Sequence, residues 1–471
     1  MSLRSWARSL FTPAARRSRP AKLAKYRPRG ESLESRLALA GNVAAFVSGP
    51  NLFITGDNLG NSLRIEGNGT GVDVLGTFGT AVNGVNGGEF NARNIQNIFM
   101  EMGNGDDTAT FVLTQLTGML RFSGGNDNDA LLFGEGNNGQ NSFGSLQALM
   151  GDGFDTVDVD SSETHFSVPG PVTVLGGEGG NTTYFRATTV LTLGAITVTG
   201  GNGNDDFQII GGEGTTATTG FISVLGGNGN NNVELNAEVT VNGGISFVGG
   251  NNFDYLTTEF EGDLTVNGSI VAALGEGPNT VSFDHNNTVI TGAVSVTGGA
   301  GVDRFNTQNG RFDALAVSLF LGAGSNVAIM SGTANNIYSS LSITTLGGFD
   351  VISVSNLDVR GATTVNTGDE LDIIAVGNSR FRSVVTVLAG GGDDTVSIES
   401  DFSDDGIGTR FDSTVSIDLG AGLDSLSLGT DADDFVRFVG LLLANGGSDA
   451  DTLTRSIFNV HGIAPTFISF P

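Results

Sequence analysis

Gly200-Gly201-Asn202-Gly203-Asn204-Asp205 runs straight into Asp206-Phe207-Gln208-Ile209-Ile210, a glycine-rich turn that opens a strand. Glycine permits the positive φ of a tight turn, and apolar alternation at period two gives the strand one buried face. Indexed by the residue in the place of Asp205, the unit recurs at Asp107, Asp129, Asp155, Asn181, Asp205, Asn231, Asp254, Asn279, Asp303, Asn326, Asp350, Asp372, Asp394, Asp424 and Asp451. Successive copies lie 22 to 30 residues apart, centred near 24, which is a solenoid period.

The register around the index carries the fold. Two and four residues after it stand apolar pairs such as Leu131 and Phe133, Val157 and Val159, Val281 and Phe283, or Leu426 and Leu428. Nine and seven residues before it stand Leu120 and Phe122, Val172 and Val174, Ile245 and Phe247, or Val415 and Ile417. The unit from −9 to +4 is thus fixed in length, and the variation falls in the remainder. There a third short apolar stretch recurs, as Leu191 and Leu193, Leu264 and Val266, or Val289. Three short strands per coil predict an all-β fold: a single-stack parallel β-helix (β-solenoid) of about 24 residues per coil and roughly 15 or more coils. At about 4.8 Å per coil the repeats would stack to on the order of 65 to 70 Å.

Composition agrees. The 73 glycines without a Gly-X-Y triplet exclude collagen, and the absence of cysteine excludes disulfides and thiolate zinc. Formal net charge is −28, yet ten of the 22 basic residues lie within residues 1–41. An acidic body repels nucleic acid and anionic lipid and attracts divalent cations, so no nucleic-acid partner is expected. No run approaches the length of a membrane-spanning helix, so no membrane span is expected either.

Residues 1–41 mix Arg4, Arg8, Arg16, Arg17 and Arg19 with Ala, Ser and Pro, then reach Leu33-Glu34-Ser35-Arg36-Leu37. This basic arm reads as targeting, or as a disordered arm. It resembles the arginine-rich leader, with its Leu-Glu-x-Arg-x-Leu element, of large exported or surface proteins of bacteria, which implies export to the cell surface or beyond. Residues 42–100 read as divergent coils forming an N-terminal cap, with Asn61 in an indexed place and Asn83 as the next candidate; 101–455 are the repeats. Residues 456–471, with Ile457, Phe458, Val460, Ile463 and Phe467, read as the C-terminal cap.

Gly200–Asp205 and Gly298–Asp303 match Gly-Gly-x-Gly-x-Asp in full, with near matches ending at Asp107, Asp129, Asp155, Asp394 and Asp424. Here the chain resembles the nonapeptide repeats of secreted bacterial toxins and proteases, which bind calcium between turns of a β-roll. That family repeats the motif every nine residues and uses both edges, whereas here it comes once per coil. The resemblance therefore implies at most a one-edged calcium ladder, with Asp107, Asp129, Asp155, Asp205, Asp303, Asp350, Asp372, Asp394, Asp424 and Asp451 as candidate ligands. The other reading is that each Asp caps its own turn by hydrogen bonding.

Carboxylates one coil apart repel by roughly 1 kcal/mol in water and about 3.5 kcal/mol at an effective dielectric of 20. From Asp155 to Asp350 the index alternates strictly between Asp and Asn, which dilutes the repulsion. Consecutive Asp occur only from Asp107 to Asp155 and from Asp350 to Asp451, so calcium is expected to bind at the two ends.

A second candidate calcium loop, of the EF-hand sort, comprises Asp401, Ser403, Asp405, Thr409 and Asp412, with Gly406 at its sixth place. Gly408 in place of a hydrophobe and the lack of a flanking helix favour a solvated acidic loop. For catalysis the best cluster is Arg360, Arg380 and Arg382 near Asp358, read as a salt-bridged face. His165, His285 and His461 occupy unrelated offsets and read as surface or loop residues. The expected function is a non-catalytic, exported structural or adhesive rod, calcium-stabilised, with extracellular polysaccharide or other surface proteins as partners. The alternative is a polysaccharide lyase or hydrolase on the same scaffold.

Overall fold

In the computed structural model the described residues are 41–470, except 135–138, 161–162, 212–213, 309, 333–335, 401–407 and 431. The basic leader falls outside them. Among them no helix forms, and the strands wind into a parallel β-solenoid of about 14 turns, roughly 24 residues per turn.

One coil shows the construction. A pre-turn strand, Ile196–Thr199, leads through the glycine turn to a post-turn strand, Asp206–Gly211, and a return strand, Thr216–Thr219. Each pairs in parallel with its counterpart one coil on: Ile196 with Ile222, Phe207 with Val233, Ala217 with Val239. Repetition makes three sheets around one interior. The apolar positions expected before and after the index are buried, among them Leu131, Phe133, Ile245, Phe247, Leu426 and Leu428. Burying each such side chain is worth about 1.5–3 kcal/mol, so the period-two pattern repeated over many coils holds the stack together.

Aromatic rings stack from coil to coil inside. Phe381, Phe411 and Phe438 lie 5.1 and 5.2 Å apart with their rings nearly parallel, and His461 continues the column at 5.3 Å. His285 is 2% exposed, with Nε2 3.2 Å from the Ala237 carbonyl oxygen. His285 corrects the surface expectation, because an inward register position outweighs the polarity of the ring, whereas His461, in the last coil, stays only half-buried. Val289 is corrected in the opposite sense. It faces outward, and its neighbours Thr288 and Ile290 are the buried ones.

The ends differ. Asn42–Ser48 lies antiparallel on Asn51–Thr55, Gly71–Gly76 antiparallel on Ser62–Gly67, and Glu89–Arg93 antiparallel on Gly71–Gly76. These strands close the N-terminal end and separate the first two index residues, Asn61 and Asp107, by 46 positions. Asn83 sits instead in a hairpin at φ 51°, its side chain bonded to the Ala45 backbone, and is no index residue. At the other end the expected cap is part of a coil. Val460–His461 and Thr466–Ile468 pair with Arg437–Phe438 and Leu443–Asn445 as strands of the last turn.

Candidate functional site: the internal index ladder

The pre-turn strand delivers the chain into the glycine turn pointing inward, so the index side chain enters the interior instead of facing solvent. Every index residue from Asn61 to Asp451 is at most 7% exposed. From Asp107 onward each index Oδ1 except that of Asn181 accepts the backbone N–H of the index residue one coil earlier: Asp107 N–H to Asp129 at 2.9 Å, Asp205 N–H to Asn231 at 3.3 Å, Asp372 N–H to Asp394 at 2.8 Å. The index column is therefore a hydrogen-bond ladder along the stack. Neither calcium ligation nor simple turn capping predicts it: the carboxylates all bond the neighbouring coil, and only Asp205, Asp254 and Asp303 also bond their own turn.

The second side-chain atom divides the turns into two forms. In the first, the residue four before the index is a left-handed glycine, such as Gly227 at φ +80° or Gly275 at φ +74°. Its carbonyl faces the index side chain, and Asn supplies the hydrogen. Asn231 Nδ2 donates to Gly227 O at 3.0 Å and Gly229 O at 3.2 Å, and Asn279 Nδ2 to Gly277 O at 2.9 Å. In the second form, Gly201, Gly250 and Gly299 have no left-handed φ, and their N–H groups face the side chain. They donate to Oδ2 of Asp205 at 3.2 Å, Asp254 at 2.9 Å and Asp303 at 3.2 Å. Asn181, Asn231 and Asn279 also donate to Oδ1 of the next Asp at 2.8–2.9 Å. Through the middle, alternation thus provides each carboxylate oxygen with a donor.

The ends combine a carboxylate with the turn form that suits Asn. Gly103, Gly125, Gly151, Gly368, Gly390, Gly420 and Gly447, four before their index aspartates, are all left-handed, with φ of +97° to +131°. Asp350, preceded there by Leu346, is the exception. Oδ2 of Asp107, Asp129, Asp155, Asp350, Asp372, Asp394, Asp424 and Asp451 is buried without a protein hydrogen-bond partner. With Oδ1 held by the ladder, this oxygen occupies the place of the Asn amide nitrogen.

Burial, the largest cause, pushes Asp129 up to about 8 and Asp372 to about 7, against the ladder N–H that pulls each down. Neighbouring index carboxylates add to the rise in both. Burial likewise pushes Asp107, Asp155 and Asp394 up to about 6. Asp303, in the middle, also reaches about 6, with Glu276 adding to its burial.

Stacking also explains the motif's glycines. A Cβ on Gly200 would stand 1.9 Å from Asp205 Oδ2, and one on Gly201 would stand 2.0 Å from Gly177 O in the coil before. Both distances are below any real contact, so the first glycine makes room for the index side chain and the second for the adjacent turn.

Two occupants relieve an ionised, orphaned Oδ2: a proton, which makes the carboxyl a donor like the Asn amide, or a cation. Tested against calcium, the ends offer Oδ2 in the glycine-turn form whose carbonyls face the side chain at Asn231 and Asn279, which would give an oxygen-only donor set suited to a hard ion. In the middle the same place holds N–H hydrogens, so Asp205, Asp254 and Asp303 do not fit one. Among the described residues no three His, Cys, Asp or Glu side chains converge as a metal cage, so carbonyls would be the majority of ligands.

Of the second candidate loop, Asp401, Ser403 and Asp405 lie outside the described residues. Thr409 is buried, its hydroxyl donating to Glu399 Oε1, and Asp412 accepts Arg380 Nη2 at 2.7 Å and Arg410 Nε. Glu399 is a buried acid that no repeat position announced; it accepts Asn378 N–H, and burial raises its pKa. Arg382 forms a two-point ion pair with Asp358 at 2.6 and 2.7 Å, which holds that carboxyl below its usual range. A cleft of about 390 Å³ near the N-terminal cap is lined by Gly67, Gly69, Thr70, Gly71, Ile95, Leu113, Gln115 and Leu116, with no titratable side chain. Comparison with known proteins finds no matching family model, no similar curated protein and no similar solved structure.

Proposed function

We propose that this chain is an exported, non-catalytic structural solenoid of the cell surface or extracellular matrix, its two ends stabilised by calcium. The observation that carries the reading is the division of labour along the ladder. Asp205, Asp254 and Asp303 have their oxygens satisfied by protein donors, whereas the end aspartates present a buried carboxylate oxygen without a protein donor, most of them after the left-handed glycine that precedes Asn231 and Asn279. A calcium ion there would supply positive charge where the fold supplies none. Because the ion binds only the folded stack, it would add stability by mass action and favour folding where calcium is plentiful.

A scaffold role is also supported by where reactive groups stand. Arg380 and Arg382 are engaged by Asp412 and Asp358, and no titratable side chain lines the N-terminal cleft. The test is thermal unfolding of the full chain in millimolar calcium and in chelator. The reading expects a melting temperature higher in calcium by several degrees, with the gain reduced when Asp350, Asp372 and Asp394 are all changed to Asn. A melting temperature indifferent to calcium would remove the ion from the proposal, and hydrolysis or lysis of a polysaccharide lost on Arg382→Ala would remove the scaffold.

A further inference from the structure

The charges of this acidic chain avoid one of the three sheets. Read from eleven before the index to five before it, the pre-turn segments Gly144–Met150, Gly170–Gly176, Gly194–Gly200 and Gly220–Gly226 contain no Asp, Glu, Lys, Arg or His. The same holds for the seven coils that follow, through Ser383–Ala389. Eleven consecutive segments of seven residues are uncharged in a chain where charged residues are 15% of the total. Charge returns only beyond this stretch, with Arg121 paired to Glu101 at 3.7 Å on one side and Asp418 on the other. The other sheets carry the outward charges, among them Asp158, Arg186, Asp206, Glu234 and Asp313.

The outer surface of this sheet is built of two rows. One is almost wholly hydroxyl: Thr173, Thr197, Ser223 and Ser246 pair in register, as do Ser295, Ser318 and Ser342 further along. The other is largely apolar and exposed, with Leu175, Leu225, Val248, Phe320 and Leu388 each 38–42% accessible. Neither solubility nor the core requires this arrangement. A surface row is where an acidic protein ordinarily places its carboxylates, and exposed apolar side chains gathered on one face mark a contact surface.

We propose that the uncharged pre-turn sheet, from Ser145 to Leu388, is the face through which two copies of this chain associate side by side. Charge selects the occupant. Two bodies this acidic repel on every other approach, and this is the one sheet on which contact desolvates no carboxylate. Hydroxyls both donate and accept, so a row of Ser and Thr is complementary to itself, and the apolar row is too, as a twofold contact demands. Size is adequate. Ten coil-to-coil steps of about 4.8 Å by a four-residue strand of about 13 Å give on the order of 600 Å² per copy, near the roughly 800 Å² of a standard interface.

Sedimentation equilibrium of the full chain tests this, over about 1 to 100 µM. The wild type is expected at twice the 48.3 kDa monomer mass, with association strengthening as salt screens the repulsion between bodies. Ser246→Glu with Ser295→Glu, outward and unpaired with the core, is expected to raise the dissociation constant at least about tenfold. The uncharged pair Leu225→Thr with Val248→Thr is expected to weaken it in the same direction should the charged variant unfold. Thr218→Glu with Thr265→Glu, on the return sheet, is expected to leave it unchanged. A wild type that stays at 48.3 kDa at 100 µM in high salt overturns the proposal. So does a dissociation constant that ignores the pre-turn variants, or a monomer that co-sediments with an insoluble neutral glucan through this face.

Discussion

Replacing Asp129 with Asn exchanges one oxygen for an N–H₂ group in a turn already shaped for it. Gly125 stands at φ +131°, the left-handed form shared with the Asn turns, and Asp129 Oδ2 is buried without a partner. The new amide would face the Gly125 and Asp127 carbonyls as Asn231 faces those of Gly227 and Gly229. One or two hydrogen bonds at about 1 kcal/mol each, and relief of an unsatisfied buried acceptor at about 1–3 kcal/mol, amount to about 2–5 kcal/mol at pH 8 in chelator. For a cooperative unit of roughly 400 residues that corresponds to a rise of about 2–6 °C in melting temperature.

The gain depends on pH, and its sign follows from linkage. The folded carboxyl titrates near 8, above its value in the unfolded chain, so between about pH 4 and pH 8 the folded state binds the extra proton. The contribution of Asp129 to stability is therefore full below about pH 4 and is lost as pH rises through 8. At pH 4 the protonated acid already donates, and Asp129→Asn should change the melting temperature by under about 1 °C. Differential scanning calorimetry at pH 4 and pH 8 reads both values. A variant less stable than wild type at pH 8, or one gaining equally at both pH values, would refute the two-form account of the turn.

The middle of the ladder should respond with the opposite sign: Asp254→Asn turns an amide toward the Gly250 N–H and should cost about 1–3 kcal/mol, read as a lower melting temperature at pH 7. Gly125→Ala would place a Cβ 1.6 Å from Gly103 O and strain a left-handed residue, so a drop of more than about 2 kcal/mol is expected; a neutral result in thermal melts would contradict the close stacking of turns. Phe411→Ala, emptying a place between Phe381 and Phe438, should cost about 3–5 kcal/mol by the same assay. Isothermal calorimetry of the full chain should show fewer calcium ions after Asp372→Asn with Asp394→Asn, and an unchanged number after Asp205→Asn with Asp303→Asn.

Most of the architecture was legible because it is periodic. Phe207 and Ile209, or Val172 and Val174, follow from the alternation alone, since a parallel coil can bury only one side of each strand. Val289 was read to the wrong side because the return stretch is the segment whose length varies, so it has no fixed offset to count from. His285 escapes for a related reason: side-chain polarity is a weak guide where the backbone register has already set the direction. Glu399 gives no signal, because its partners have no repeat offset: Asn378 comes from the coil before, brought near by stacking, and Thr409 from ten residues on in its own coil.

By itself, the sequence determined the coil: its period of about 24, its three strands, and an index residue rationed between Asp and Asn. Those are local quantities, set by where turns permit the chain to reverse and which side of each strand avoids water. Only the tertiary structure decided that the index side chains point inward, that Oδ1 serves the preceding coil, and that the peptide before each turn presents a carbonyl to Asn but an N–H to Asp254. Which end of a peptide dipole faces a side chain depends on the φ of one glycine and on the coil stacked beneath it, and neither is written in residue types.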